Sequence, residues 1–192
     1  LESIIRSVDE PKDGRLMMHL VSDPIQDGGQ WHMFVNLINK YGVVPKSEMP
    51  ETYQSSSSMR MNRMITRKLR GFAIELRNEH NNGSNLEKLH AMKDEMLGVV
   101  YQMLTISLGT PPEKFDWQVN DKDKKFIRYE NLTPQSFFKD HVGLNLDDYV
   151  CLIDCPMSDK NYNETYTVDY LGNVVEGEII RYMNLPIQRL KE

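Results

Sequence analysis

Reactive sulfur is scarce in this chain. Its 192 residues hold two cysteines, Cys151 and Cys155, with no second Cys or Cys/His pair beside them, so a structural zinc site would lack ligands. Two thiols in a chain of this size fit an intracellular protein rather than a disulfide scaffold. No stretch approaches the roughly 18–20 apolar residues a membrane span requires, and no basic–apolar–small signal segment is present. Motifs that announce common chemistries are missing as well: G-x-S-x-G, the phosphate-binding loop and H-E-x-x-H do not occur. Positive charge is not in excess either. The net charge of −5 argues against non-specific attraction to nucleic acid or anionic membrane.

What remains is an ordinary core-forming chain, 40% hydrophobic and 27% charged. "LESIIRSVDEP" reads as the last turns of a helix and "LPIQRLKE" as a helix starting, which predicts a piece of a longer protein. "RLMMHLVSDP" is a short apolar element. In "DPIQDGGQWHMFVNLINKYGVVP", residues 23–45, Trp31, Phe34, Val35, Ile38 and Tyr41 repeat at three and four residues, the spacing of one helical stripe. Asp27 with Gln30 forms a candidate capping box at its start, and Gly42 stands where a terminating glycine would.

"SSSS" (Ser55 to Ser58) is a polar loop. Beyond it, Met61, Ile65, Phe72 and Leu76 share one helical face. After "HNNGS", Ser84 and Glu87 predict a second capped helix running to about Leu108, with Leu89, Met92, Met96, Val99, Val100 and Met103 on its stripe. Two long helices joined by a short loop make a helical hairpin. "FDWQVNDKDKKFIRYE" predicts a β-hairpin with a charged tip, "TPQSFFKDHVG" a short helix capped by Thr133 with Pro134 at its first position, "DYVCLID" a buried strand, and "NYNETYTVDYLGNVV" another. The fold class is α+β, mainly helical. It divides into residues 1–54, a hairpin over 55–110, and a mixed segment over 111–192.

A catalytic pair is not visible in this pattern. Cys151 lies in the apolar run "YVCLI" and reads as an inert core thiol; Cys155 has no helix N-terminus or basic neighbour to activate it. His19, between Met18 and Leu20, reads as packed, His80 and His90 as solvated, and His141 as a cation near a helix C-terminus. His32 adjoins the glycines but has no assignable role. "NDKDKK" lacks the Gly and distal Glu of a calcium loop. No cofactor or metal is implied.

Gly28 and Gly29 raise the sharper question. Adjacent glycines mark either a tight turn or a place where another backbone must come close. The surrounding "DGGQWHMFVNLINKYGVVPKSEMPETY" resembles the Gly-Gly element of papain-like cysteine peptidases. Its Asp in place of the papain-type Cys, its Gln-Trp and its "YGVVPKS" run are similar to one branch, the bleomycin hydrolase and aminopeptidase C family, with the bacterial aminopeptidase C branch nearest. "SLGTPPEKFDWQVNDKDKKF", "LTPQSFFKDHV" and "YNETYTVDYLGNVVEG" resemble further family segments in the same order, so the likeness spans most of the chain.

That resemblance implies a fragment of a papain-like fold carrying a helical-hairpin insertion over residues 55–110. It implies an intracellular, cytoplasmic thiol aminopeptidase acting on peptides, and a homohexamer in the full protein. It places Gly28, Gly29, Gln30 and Trp31 on the substrate-binding edge, with no catalytic residue inside this chain: the family's Cys lies upstream and its His and Asn downstream. His32 departs from the Asp expected there. Two rivals stand beside this reading. One is a non-catalytic helical module for interaction or oligomerisation. The other is a nucleic-acid binder using Arg60, Arg63, Arg67, Lys68 and Arg70, for which a solvated helix face is the cheaper explanation.

Overall fold

The computed structural model describes residues 1–25, 28–171 and 177–191. Among the described residues there are seven α-helices and five short strands, an α+β fold with helix predominating. Two compact units divide the chain. One comprises Leu1–Asp27 with Met49–Pro111, the other Gly28–Glu48 with Pro112–Glu192. Among the described residues, no helix is long and apolar enough to cross a membrane.

In the first unit, helices α1 (Glu2–Arg6) and α2 (Arg15–Ser22) pack with the long pair α5 (Met59–Asn81) and α6 (Leu86–Leu108), and the short α4 (Tyr53–Ser56) leads into α5. The predicted stripes meet here. Ile65, Phe72 and Leu76 of α5 are buried, as are Leu89 and Met96 of α6, and most of these join Ile4, Ile5 and Met17 in one core. Leu76 and Leu89 are fully enclosed; each such side chain contributes about 1.5–3 kcal/mol. The turn between the long helices is a Schellman motif. Gly83 takes φ +89°, its N–H donates to His80 O (2.8 Å), and Ser84 N–H donates to Glu79 O (3.2 Å).

The predicted cap of α6 moves by one residue. Asn85 is the N-cap, its side chain accepting from Lys88 N–H at 3.0 Å. Ser84 instead donates to Glu79 at 2.6 Å, because the Schellman turn commits its backbone to the end of α5. Two arginines of α5 are spent on carbonyls. Arg70 donates to Val21 O (2.7 Å) and Ser22 O at the end of α2, where cations are favoured. Arg77 donates to Ser7 O (3.1 Å) and Glu10 O after α1.

The second unit holds α3 (Trp31–Tyr41), the hairpin β1 (Phe115–Asn120) and β2 (Phe126–Leu132), α7 (Pro134–Phe137), and a three-stranded sheet. In that sheet β5 (Tyr182–Asn184) lies between β3 (Cys151–Ile153), parallel to it, and β4 (Thr165–Tyr166), antiparallel. Strand β5 carried no signal in the sequence: three residues are too few for an alternation to show. The strand predicted in "DYVCLID" is present but half-exposed, with Cys151 partly accessible rather than a core thiol; Cys155 is partly accessible as well.

Thr133 caps α7 as predicted, accepting from Ser136 N–H at 3.1 Å, with Pro134 in the first turn. Past Phe137 the helix widens into a π-turn over Phe138–Val142. That turn places His141 against Tyr129 (ring centroids 4.2 Å) and Trp117 (5.3 Å), while Trp117 stacks on Tyr129 (5.6 Å, 16°). His141 therefore packs among aromatic rings. His19 is exposed rather than packed, since α2 buries mainly Met17. His80, inside α5, meets Asp9 at 3.0 Å, and His90 lies 3.4 Å from Glu2.

The charged tip of β1–β2 is closed by Asp121, which accepts from Asp123 N–H and Lys125 N–H, each at 2.9 Å. At the open end the register slips between Phe115 and Trp117. Asn131, at φ +55°, donates its N–H to Asp116 (3.0 Å), which Arg128 also contacts at 2.7 Å. These two donors hold the Asp116 carboxyl below its ordinary range. A depressed carboxylate contributes stability that is complete above its unfolded pKa and disappears as pH falls through the folded one. The hairpin is therefore expected to loosen below about pH 4, with amide exchange at Asn131 rising there first. Asp116→Asn should abolish that pH dependence.

Asn184 is fully buried at the end of β5. Its Oδ1 accepts from Cys155 N–H (2.8 Å), and its Nδ2 donates to Cys155 O (3.0 Å), Lys160 O and Asn161 O (3.2 Å each). Asn184→Ala strands these backbone groups, each costing about 1–3 kcal/mol when left unpaired. Urea unfolding followed by tryptophan fluorescence should show a loss of about 3 kcal/mol or more.

Candidate substrate edge at the start of α3

Helix α3 begins at Trp31, and its N-cap is Gln30 in extended conformation. Asp27, the predicted cap, lies outside the described residues. Gln30 N–H donates to the Met33 sulfur at 3.5 Å, and Gln30 O accepts from Met33 N–H at 3.0 Å. The helix ends at Gly42, as its position predicts. Gly42 has φ +72°, and a Cβ there would stand 2.2 Å from Pro134 C. Val43 N–H donates to Pro134 O (3.1 Å), and the Gln135 amide reaches Lys40 O (3.3 Å). These contacts lock the C-terminal end of α3 to the first turn of α7.

The inward face of α3 is narrower than the predicted stripe. Val35 and Ile38 are buried with Leu146, whereas Phe34 and Tyr41 are about half exposed. Between the apolar positions sits Asn36, buried, whose Nδ2 donates to Glu178 O (2.8 Å) while its Oδ1 accepts from Glu178 N–H (3.0 Å). The side chain thus pairs with main chain as a strand would. Asn36 is a position that the sequence pattern does not reveal; its signal is an asparagine standing beside the buried Val35.

Gly28 and Gly29 are exposed and precede the cap. Neither has the positive φ that would demand glycine. A Cβ on Gly28 would meet nothing within 4 Å, and one on Gly29 only the Met33 sulfur at 3.9 Å. Packing among the described residues therefore supplies no reason for glycine at either position, in contrast to Gly42. Gln30 is exposed beside them. Trp31 is half-buried, its ring 5.6 Å from Phe34 and 5.5 Å from Tyr149. Its Nε1, like His32 Nδ1, is buried without a hydrogen-bond partner among the described residues. The four predicted edge residues are contiguous: Gly28, Gly29 and Gln30 are exposed, and the strip ends at the half-buried Trp31. Tyr149, which the sequence reading did not single out, shapes one side of it. Among the described residues, no group of three His, Cys, Asp or Glu side chains converges as a metal site.

The Peptidase C1-like family model matches residues 1–192, the whole chain. The chain belongs to the Peptidase C1-like family. It is 45% identical to aminopeptidase C of Listeria innocua over 192 residues, 100% of this chain and 43% of that protein. With human bleomycin hydrolase it is 42% identical over 185 residues, 95% of this chain and 41% of that one. A solved structure of PepW from Lactobacillus rhamnosis HN001 superposes with a TM-score of 0.96 at 46% identity, covering 99% of this chain and 43% of that one. The fold is thus that of a papain-like segment, and the chain spans less than half the length of the curated relatives it matches.

Because Gly28 lies in open space outside the left-handed region, Gly28→Ala is expected to leave thermal stability unchanged or raise it by about 0.4–1 kcal/mol. Asn36→Ala, which strands both main-chain groups of Glu178, should cost about 1–3 kcal/mol in the same melting experiment.

Proposed function

We propose that this chain is a segment of a cysteine aminopeptidase of the bleomycin hydrolase kind, removing N-terminal residues from peptides. The reaction runs through a Cys/His/Asn site contributed from outside residues 1–192. In it a thiolate attacks the first peptide carbonyl, the remaining peptide leaves as an amine, and water hydrolyses the acyl-enzyme. Gly28, Gly29, Gln30 and Trp31 form the edge along which the substrate backbone lies, with Gln30 and Trp31 at or near the pocket for the second residue.

The observation that carries this reading is the open space at Gly28 and Gly29 in a chain whose relatives are named as aminopeptidase C and bleomycin hydrolase. Glycines that the fold does not require are accounted for by a peptide backbone passing close, which a Cβ would displace. The long hairpin serves as an insertion for shape and assembly. Its exposed apolar residues, Met59, Ile74, Tyr101 and Ile106 among them, are where contacts of a cytoplasmic homohexamer would fall.

The test uses the whole gene product that carries this segment. It should release the fluorophore from aminoacyl-coumarin amides, be silenced by iodoacetamide, and spare N-acetylated substrates. Gly28→Val should lower kcat/KM about 100-fold, mainly through KM, an effect of about 2.7 kcal/mol. The 192-residue chain by itself should hydrolyse nothing. If the whole product also hydrolyses nothing, the interaction-module reading replaces this one.

A further inference from the structure

A groove of about 500 Å³ runs along α5, walled by Arg60, Arg63, Arg67 and Lys68 and floored by Met64, Gly71 and Met103. We propose that this groove is a binding site for an acidic peptide segment. The site rests on the hairpin alone and does not depend on the peptidase reading.

Three observations converge on it. First, the arginines of the groove are uncommitted. Arg70 and Arg77 of the same helix cap backbone carbonyls, and Arg128 pairs with Asp116. Arg60, Arg63 and Arg67 have no carboxylate or carbonyl partner among the described residues, and Lys68 sits 4.8 Å from the Phe72 ring centre. These three arginines, with Lys68 beside them, make a local field opposite to that of a chain with net charge −5.

Second, Gly71 lies in the middle of a 23-residue helix, where glycine is unfavourable relative to alanine. A Cβ there would meet nothing within 4 Å, so packing does not require its absence. Its effect is to keep the groove floor low. Third, the floor is soft and apolar. Met64 is 64% exposed and Met103 faces it from α6; methionine surfaces adapt to varied aliphatic side chains.

Dimensions fit the ligand. Arg60 to Lys68 spans about 12 Å of helix at 1.5 Å per residue, the length of about four residues of extended peptide. Alternate side chains of such a segment point the same way, so carboxylates on one side reach the guanidinium groups while aliphatic ones settle on the methionines. Glu75, which closes the end of the groove, repels a carboxylate and confines the acidic residues to the Arg60–Lys68 end. A nucleic acid is served less well. Among the residues lining the groove no aromatic ring offers a base a surface to stack on.

A fluorescein-labelled peptide alternating glutamate and leucine, titrated against the chain with anisotropy detection, tests the proposal. Binding is expected to weaken with salt, and the glutamine version of the peptide should not bind. Arg63→Glu with Arg67→Glu should reduce affinity at least tenfold. Gly71→Leu, which fills the floor without touching a charge, should reduce it about fivefold with an unchanged circular-dichroism spectrum. Equal binding of the glutamine peptide, wild-type affinity in both variants, or tighter binding of single-stranded oligothymidine would each overturn it. So would failure of the whole gene product to bind the peptide when the 192-residue chain does, since its own remaining chain would then fill the groove.

Discussion

The backbones of Gly42 and Pro134 approach so closely that no side chain fits between them, and the second unit depends on that approach. Its two parts are far apart in the chain, with residues 49–111 between them. Glycine at the end of α3 lets the helix terminate directly against the first turn of α7. The Val43 and Gln135 hydrogen bonds then fix the angle. At the far side Asn36 holds Glu178 by both main-chain groups. With those clamps set, the start of α3 makes no packing demand on Gly28 or Gly29 among the described residues.

Charge in this molecule is used in two distinct ways. Some cations terminate structure: Arg70 and Arg77 donate to carbonyls at the ends of α2 and α1 and in the loops after them. Others on the same helix terminate nothing. The difference follows from position along the helix: 63, 70 and 77 stand seven apart on one line, but only Arg70 and Arg77 lie level with the ends of α2 and α1. A single helix therefore carries a structural and an uncommitted set of arginines, separable only once the packing is known.

Much of the architecture was legible in the sequence. Helical spacing located α3, α5 and α6, because their stripes are long enough for the 3.6-residue period to be unmistakable. Thr133–Pro134, Gly42 and the charged hairpin tip were readable because their turn chemistry is local. The failures were of another kind. Strand β5 is short, and it exists because Asn184 is satisfied by Cys155, Lys160 and Asn161, partners the sequence does not bring together. Cap positions slipped by one residue at Asn85 where a Schellman turn competed for Ser84. At the candidate edge the residues could be named from the family resemblance. That fold geometry does not require glycine there emerged only from the coordinates.

The Asn36–Glu178 pairing joins residues 142 positions apart, and this has a consequence for how the chain is made. The parts of the first unit have all been synthesised once residue 111 leaves the ribosome. Helix α3 must wait roughly 70 residues more before Glu178 can reach it, several seconds at the usual pace of about 5–20 residues per second. During that interval its apolar face, Val35 and Ile38 included, has only part of its eventual cover. The Gly-Gly strip thus reaches its final setting near the end of translation of this segment, and nascent chains stalled before that point are the ones a chaperone would recognise.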